Sequence, residues 1–272
     1  MIYLGEKKVG SIYLGDKKLS KIYLGEKLVW EETTKSRPSN DDLLDPSCRI
    51  VSEGVNSWKN SGSFNDRLTF DDVNNIQGVG RIIELINDYR QGTMRLDHDS
   101  TVRLLYNNKL TCVTFAKIAS ESAGLIIDGS QGTNDVDRVK LLLMDSINHC
   151  FVCAKKSPTS DWENVPFTKD GENLPCTYFL KKWTVYAVSA DFETGDLTFY
   201  INGIKVGTAS ISGIDPTAGL STNSKAKWDA IVVQIGGTKL EELMYNRVLT
   251  DKEINTITVA MGQAYRDITT ES

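Results

Sequence analysis

The stretch His149-Cys150-Phe151-Val152-Cys153 sets a histidine beside a Cys-x-x-Cys, the residue types that hold zinc or exchange disulfides. No second cysteine pair follows at zinc-ribbon spacing, and in a strand residues three apart point to opposite faces. Nucleophilic catalysis has little to build on. The chain has two histidines, His98 and His149, and no Gly-x-Ser-x-Gly elbow to set beside either. Hydrolysis by a carboxylate pair asks for two acids about 5 Å apart on one face. The nearest acidic pair on a candidate strand is Glu241-Glu242, whose adjacent members face opposite ways. The sequence therefore reads as a non-enzyme without a cofactor.

Two kinds of binding chemistry remain. Asp191, Glu193 and Asp196 cluster around one turn, as do Asp135 and Asp137, and oxygen-rich loops are what Ca²⁺ takes. Acids at turns are more often simply solvated, so Asp191, Glu193 and Asp196 are the candidate calcium ligands against that plainer reading. Glycan binding uses exposed aromatics with amides and acids nearby. Trp162 in "SDWENVPF" and Trp228 in "KAKWDA" sit in or beside polar loops, and Tyr178 is the next candidate. The plainer reading is that these rings cover loop ends, since large aromatics usually bury most of their surface. Trp183 lies on a patterned strand and reads as core.

The elements that must position these residues begin with a triplet. Ile2-Tyr3-Leu4-Gly5 returns as Ile12-Tyr13-Leu14-Gly15 and as Ile22-Tyr23-Leu24-Gly25, each followed by an acid and a lysine. Each copy reads as a β-hairpin, because glycine at the first central position satisfies the positive φ of a type II′ turn. Leu4 then opposes Lys7, Tyr3 opposes Lys8, and Ile2 opposes Val9, with Leu19 and Val29 taking the place of Val9 in the later copies. Lone hairpins with strands this short are marginal in water, and about 30 residues is too little chain for a core. The module over 1–31 must therefore dock, through Ile2, Tyr3, Leu4, Ile12, Tyr13, Leu14, Ile22, Tyr23, Leu24 and Trp30, on the chain's own main domain, on copies of itself or on another protein.

Residues 32–48 are polar and proline-punctuated and read as a linker to a domain over 49–272. Within "RIIELINDYR", 81–90, Ile82, Leu85, Ile86 and Tyr89 share helical spacing, so a helix is expected there. From about residue 94 the period becomes two. Seven runs from "LTCVTFAKI" at 110–118 to "IVVQIGG" at 231–237 are β-branched and aromatic, separated by Gly, Asn and Asp. Asn202-Gly203 is a hairpin signal, and Thr250 with Glu253 three residues on is a helix cap. The expected fold is all-β, an antiparallel jelly-roll β-sandwich with few short helices.

"WTVYAVSADFETGDLTFYINGIKVGTASI", opening at Trp183, resembles the central hairpin of the laminin-G-like, concanavalin A-type jelly rolls. In that family a Trp opens the strand, an Asp closes it, and a Thr-Gly turn leads to "lYiNG"; here these are Trp183, Asp191, Thr194-Gly195 and Tyr200-Ile201-Asn202-Gly203. "KLEELMYNRVLTDKEINTI" at 239–257 is similar to the family's closing strand and short helix. The resemblance covers about 75 residues closely and extends plausibly back to about residue 94. It implies a lectin-like domain; the family's hydrolases carry a Glu-x-Asp-x-x-Glu run that this chain lacks. The tandem "IYLG-x-K-x-V" segments resemble the ends of fibre or decoration subunits of tailed phages of gut bacteria, crAss-like phages among them.

Composition narrows the classes further. The chain has 272 residues, 40% hydrophobic and 25% charged, a globular balance, with a formal charge of −5. That lacks the cationic footprint of a nucleic-acid binder, and no apolar run is long enough for membrane insertion. Five cysteines, an odd number, and a start without a secretory pattern fit synthesis in a cytoplasm. Together these observations and resemblances lead to an expected virion subunit, made in the host bacterial cytoplasm and placed on the particle surface. The repeats would bind capsid or tail proteins or form a homo-oligomer, and the jelly roll would meet host-surface glycans. The alternative is a bacterial surface or secreted carbohydrate-binding module.

Overall fold

The computed structural model describes residues 37–54, 57–64, 68–71, 76–79, 81–85, 92–96, 103–118, 124–128, 138–144, 150–155, 163–175, 182–212, 230–235 and 237–269. It also describes the hairpin strands within 3–31. The chain divides into two compact units, Met1–Arg37 and Pro38–Ser272.

In the first unit the three copies form three antiparallel hairpins. Tyr3–Leu4 pairs with Lys7–Lys8, Ile12–Leu14 with Lys17–Leu19, and Lys21–Leu24 with Lys27–Glu31. Leu4 opposes Lys7, Leu14 opposes Lys17 and Leu24 opposes Lys27, the register of a two-residue connection. Ile12 opposes Leu19 as alternation requires. The third copy departs from the expectation. Ile22 stands opposite Trp30, not Val29, because the register shifts between Ile22 and Tyr23. An extra residue in one strand makes a bulge, which brings the tryptophan into cross-strand register with the isoleucine. Among the described residues each hairpin is its own two-stranded sheet. Ile2 lies outside the described residues; the other attachment candidates are on these strands.

The larger unit is an antiparallel β-sandwich. Its first sheet runs, in spatial order, Ile76–Val79, Ile82–Leu85, Gly237–Tyr245, Lys109–Ile118, Trp183–Asp191, Asp196–Ile201, Ile204–Ser210, Thr168–Lys169 and Glu172–Asn173. Cys48–Gly54 also pairs with Gly237–Tyr245 and carries Ser57–Asn60 on its far side. The second sheet runs Glu163–Pro166, Cys150–Lys155, Arg138–Met144, Gly124–Asp128, Ala230–Ile235, Gly92–Leu96 and Leu68–Asp71. The chain passes from the second sheet to the first through Phe167, whose ring packs 5.2 Å from that of Phe199.

Burial on both faces defines the central strand. From Thr184 to Ala190 every residue is buried, so alternation sends apolar side chains to two covered sides. Val185 and Ala187 join Phe115, Val113, Leu243 and Tyr245 against helix α1, Asp251–Ala264. The alternate set, with Tyr186 and Val188, is buried on the other face. Helix α1 starts where the sequence says it should. Thr250 Oγ1 accepts the Glu253 N–H, and Glu253 Oε2 accepts the Thr250 N–H at 2.8 Å. Ile254, Ile257, Met261 and Tyr265 form its buried stripe, each aliphatic one contributing roughly 1.5–3 kcal/mol. A short helix α2, Arg266–Thr269, follows.

Two expectations are corrected here. Ile82–Leu85 is a strand, paired with Ile76–Val79 on one side and Thr238–Lys239 on the other, not the first turn of a helix over 81–90. The open flank of Gly237–Tyr245 offers backbone partners that outweigh a helical spacing. Residues 38–48, part of the expected linker, pack into the larger unit. Leu43 closes a 3-10 turn, is fully buried, and its carbonyl accepts the Tyr245 hydroxyl at 2.6 Å.

Candidate functional site

A cavity of about 420 Å³ opens on the helix-covered face of the first sheet. Two strands, the residues beside them and the two helices build it, the second helix through Thr269. The strand pair contributes Phe115 and Trp183, whose rings meet edge-on at 5.9 Å and 78°. The chain just before that strand contributes Lys182, and the turn after Asp196–Ile201 contributes Asn202. Helix α1 contributes Thr258 and Gly262, which lie four residues apart on the row beside its buried stripe.

Asn202 is held by the turn it makes. Asn202 and Gly203 both have positive φ, 49° and 81°, the combination that a type I′ turn demands. Gly203 also abuts the helix, since a Cβ there would lie 2.8 Å from Asn255 Oδ1 and 3.1 Å from its Cα. The Asn202 N–H donates to the Val185 carbonyl at 2.8 Å, and Asn202 Oδ1 accepts the Val185 N–H at 3.0 Å. The amide is thus fixed through its oxygen, which leaves Nδ2 as the group that can donate to a ligand. Lys182 is the one formally charged residue on the described wall, is exposed, and makes no ion pair among the described residues. The site offers an aromatic surface, amide and hydroxyl groups and one cation, a set suited to binding rather than bond-making.

The other candidate residues fall elsewhere. Trp162, Trp228 and Tyr178 lie outside the described residues, as do His98, His149, Asp135 and Asp137. Asp191, Glu193 and Asp196 share one turn as expected, but the group that the Asp191 and Glu193 carboxylates face is an ammonium. Lys109 Nζ stands 3.4 Å from Asp191 and 3.6 Å from Glu193, and Asp191, foremost, holds the lysine above its ordinary pKa. Asp196 Oδ2 accepts the Thr194 hydroxyl at 2.8 Å. Among the described residues no group of three His, Cys, Asp or Glu is arranged to hold a metal.

Glu241 and Glu242 are both buried, and each is neutralised separately. Arg49 grips Glu241 with Nε at 2.9 Å and Nη2 at 2.8 Å, while Lys239 meets Glu242 at 2.9 Å. Thr114 Oγ1 adds a 2.6 Å bond to Glu242. Cys48, Cys112 and Cys150 are buried, and burial pushes the Cys112 thiol well up. Among the described residues no helix is long and apolar enough to cross a membrane.

The sequence pattern assigns Trp183 to the core, and nothing in it groups Lys182, Asn202 and Gly262. Trp183 is half-buried: it packs on Phe115 and also lines the cavity. Its place at the strand's first residue, directly after a lysine, is the local feature that could have marked it.

The sheets and helix together define a class, the antiparallel β-sandwich. No family model matches the chain, and no curated protein matches it. Solved structures do. One is of botulinum neurotoxin type C, whose cell entry is described as dependent upon interaction with two ganglioside molecules. It is 15% identical with a TM-score of 0.52, over 82% of this chain and 53% of that one. The receptor binding domain of the botulinum neurotoxin C/D mosaic serotype is 12% identical with a TM-score of 0.52, over 80% and 51%. The botulinum neurotoxin serotype D binding domain is 13% identical with a TM-score of 0.51, over 80% and 52%. This chain spans about half the length of those it matches, and identities this low establish the shared fold.

Proposed function

We propose that this chain is a display subunit of a tailed-phage particle, in the head or tail fibre or decoration layer. Its hairpin unit docks on the capsid or tail, or on copies of itself, and its sandwich meets host-surface glycans. It is not an enzyme. The observation that carries the reading is the contrast between the two units. Three hairpins, each paired only with itself among the described residues, precede a sandwich with a full core. Isolated two-stranded hairpins are marginal in water, so the first unit gains its stability by docking. The wording of the IYLG repeats points to virion proteins as the dock. Weak sugar affinity suffices in that setting, since many tethered copies gain ~10²–10⁴ in avidity. Trp162, Trp228 and Tyr178 remain glycan candidates for loop-end contacts.

The likeness to toxin domains described as receptor-binding favours one second reading, a bacterial surface or secreted carbohydrate-binding module. Deleting residues 1–31 separates the two. The display reading expects loss of particle incorporation and of any symmetric oligomer, with the sandwich's melting unchanged. Incorporation and solution mass that survive the deletion would overturn it.

A further inference from the structure

We infer that the cavity between α1 and the Trp183 strand is a saccharide site selective for a carboxylate-bearing pyranose, a uronic or sialic acid residue. The inference rests on the glycan-binding part of the proposed function and places it on residues outside the loop-end aromatics. Four observations carry it.

The first is room: about 420 Å³ lies within the ~300–1,000 Å³ span of small-ligand pockets. The second is the mixture of surfaces. Trp183, half-buried and backed edge-on by the buried Phe115, supplies aromatic carbon for the apolar C–H face of a sugar ring, and the Asn202 amide and Thr258 lie around it for hydroxyls. The third is charge. In a chain of net −5, with 36 acids to 31 lysines and arginines, no acid is found on the described wall, and its one charge is the Lys182 ammonium. An exposed lysine with no carboxylate beside it among the described residues is a counter-ion for one that arrives with the ligand.

The fourth is Gly262. Glycine is a poor helix former, and here packing does not demand it, because a Cβ at Gly262 would meet nothing within 4 Å. Its backbone φ lies outside the left-handed range, so the turn geometry does not demand it either. What glycine does at this position is keep the helix wall of the cavity flat, with Thr258 one turn before it. A side chain there would fill the space that the ligand needs while leaving the core stripe, Ile257 and Met261, untouched.

The test uses the full chain on an array of oligosaccharides ending in sialic or uronic acid, each beside its neutral counterpart. The wild type should retain the acidic set over the neutral set, more strongly at low salt, because an exposed ammonium is screened by ions. Lys182→Glu and Gly262→Leu should each weaken acidic-glycan binding about tenfold or more, the scale of one lost charge-assisted hydrogen bond. Gly262→Ala should melt at or above the wild-type temperature, which shows that the helix tolerates the position. Acidic binding unchanged in both Lys182→Glu and Gly262→Leu overturns the site. So does binding only to neutral sugars, or to none. None of these results bears on particle incorporation after deletion of 1–31, so failure here and failure of the display reading are told apart.

Discussion

Replacing Glu241 by glutamine changes one buried charge and almost no volume. Glu241 is fully buried and Arg49 is 5% exposed. The guanidinium spends its donors on Glu241, on Asn40 Oδ1 at 2.7 Å and on the Pro38 carbonyl at 2.8 Å. Tyr265 donates its hydroxyl to Glu241 Oε1. At 2.8 Å and an effective dielectric of about 20, the direct attraction is about 6 kcal/mol. Desolvating the two ions costs several kcal/mol each, so the pair as a whole adds little. Removing one partner is another matter, because the other is left charged and dry. Glu241→Gln should therefore cost about 3–5 kcal/mol, a third or more of a typical domain's 5–15 kcal/mol.

Equilibrium urea unfolding of the sandwich, with the m-value unchanged, measures this directly. Arg49→Met alone should lose a similar amount, whereas Arg49→Met with Glu241→Leu should lose less than either single variant. That inversion is the signature of a desolvated pair, since it removes both the attraction and its cost. A loss below about 1 kcal/mol for Glu241→Gln would refute the reasoning. A double variant equal to the sum of the singles would refute it equally.

Asn202→Ala should destabilise the sandwich by about 2–3 kcal/mol, combining a non-glycine, non-asparagine residue at φ 49° with an unpaired Val185 N–H; urea unfolding checks it. Glu253 holds its carboxyl below the ordinary value of 4.5, first through the Thr250 N–H. Its contribution is thus fully present above about pH 4.5 and is lost as pH falls through the lower folded value. The melting difference between wild type and Glu253→Gln should accordingly be constant near neutrality and close in acid.

Local patterns were legible wherever one short segment decides its own structure. Asn202-Gly203 needs only two positive φ values, and Thr250 with Glu253 needs only its own four residues, so both were readable. The hairpin registers were readable too, except that Ile22 meets Trp30 across a bulge that no residue type announces. Ile82–Leu85 was misread because Ile82, Leu85, Ile86 and Tyr89 satisfy a helical template. The strand beside it, Gly237–Tyr245, comes more than 150 positions later. The cavity was illegible for the same reason. Its aromatic ring, amide and glycine belong to a strand, a turn and a helix, and each alone has an ordinary structural explanation. Glu241 and Arg49 are 192 positions apart, so the cation that neutralises Glu241 could not be read from the residues around it.

That network also ties the start of the larger unit to its helices. Pro38 is where the larger unit begins, and its carbonyl is bound by the Arg49 guanidinium. Arg49 holds Glu241, Glu241 accepts the hydroxyl of Tyr265, and Arg81 sits 5.2 Å over the Tyr265 ring. Arg81 in turn donates to the Ala264 carbonyl at 3.1 Å and pairs with Asp267, so it clasps the end of α1 and the start of α2. Pro38 is thus tied through a buried ion pair across two strands to the residue that ends α1. The wall formed by Thr258 and Gly262 lies on the same helix. That wall is thus joined, through Tyr265, Glu241 and Arg49, to the backbone at Pro38.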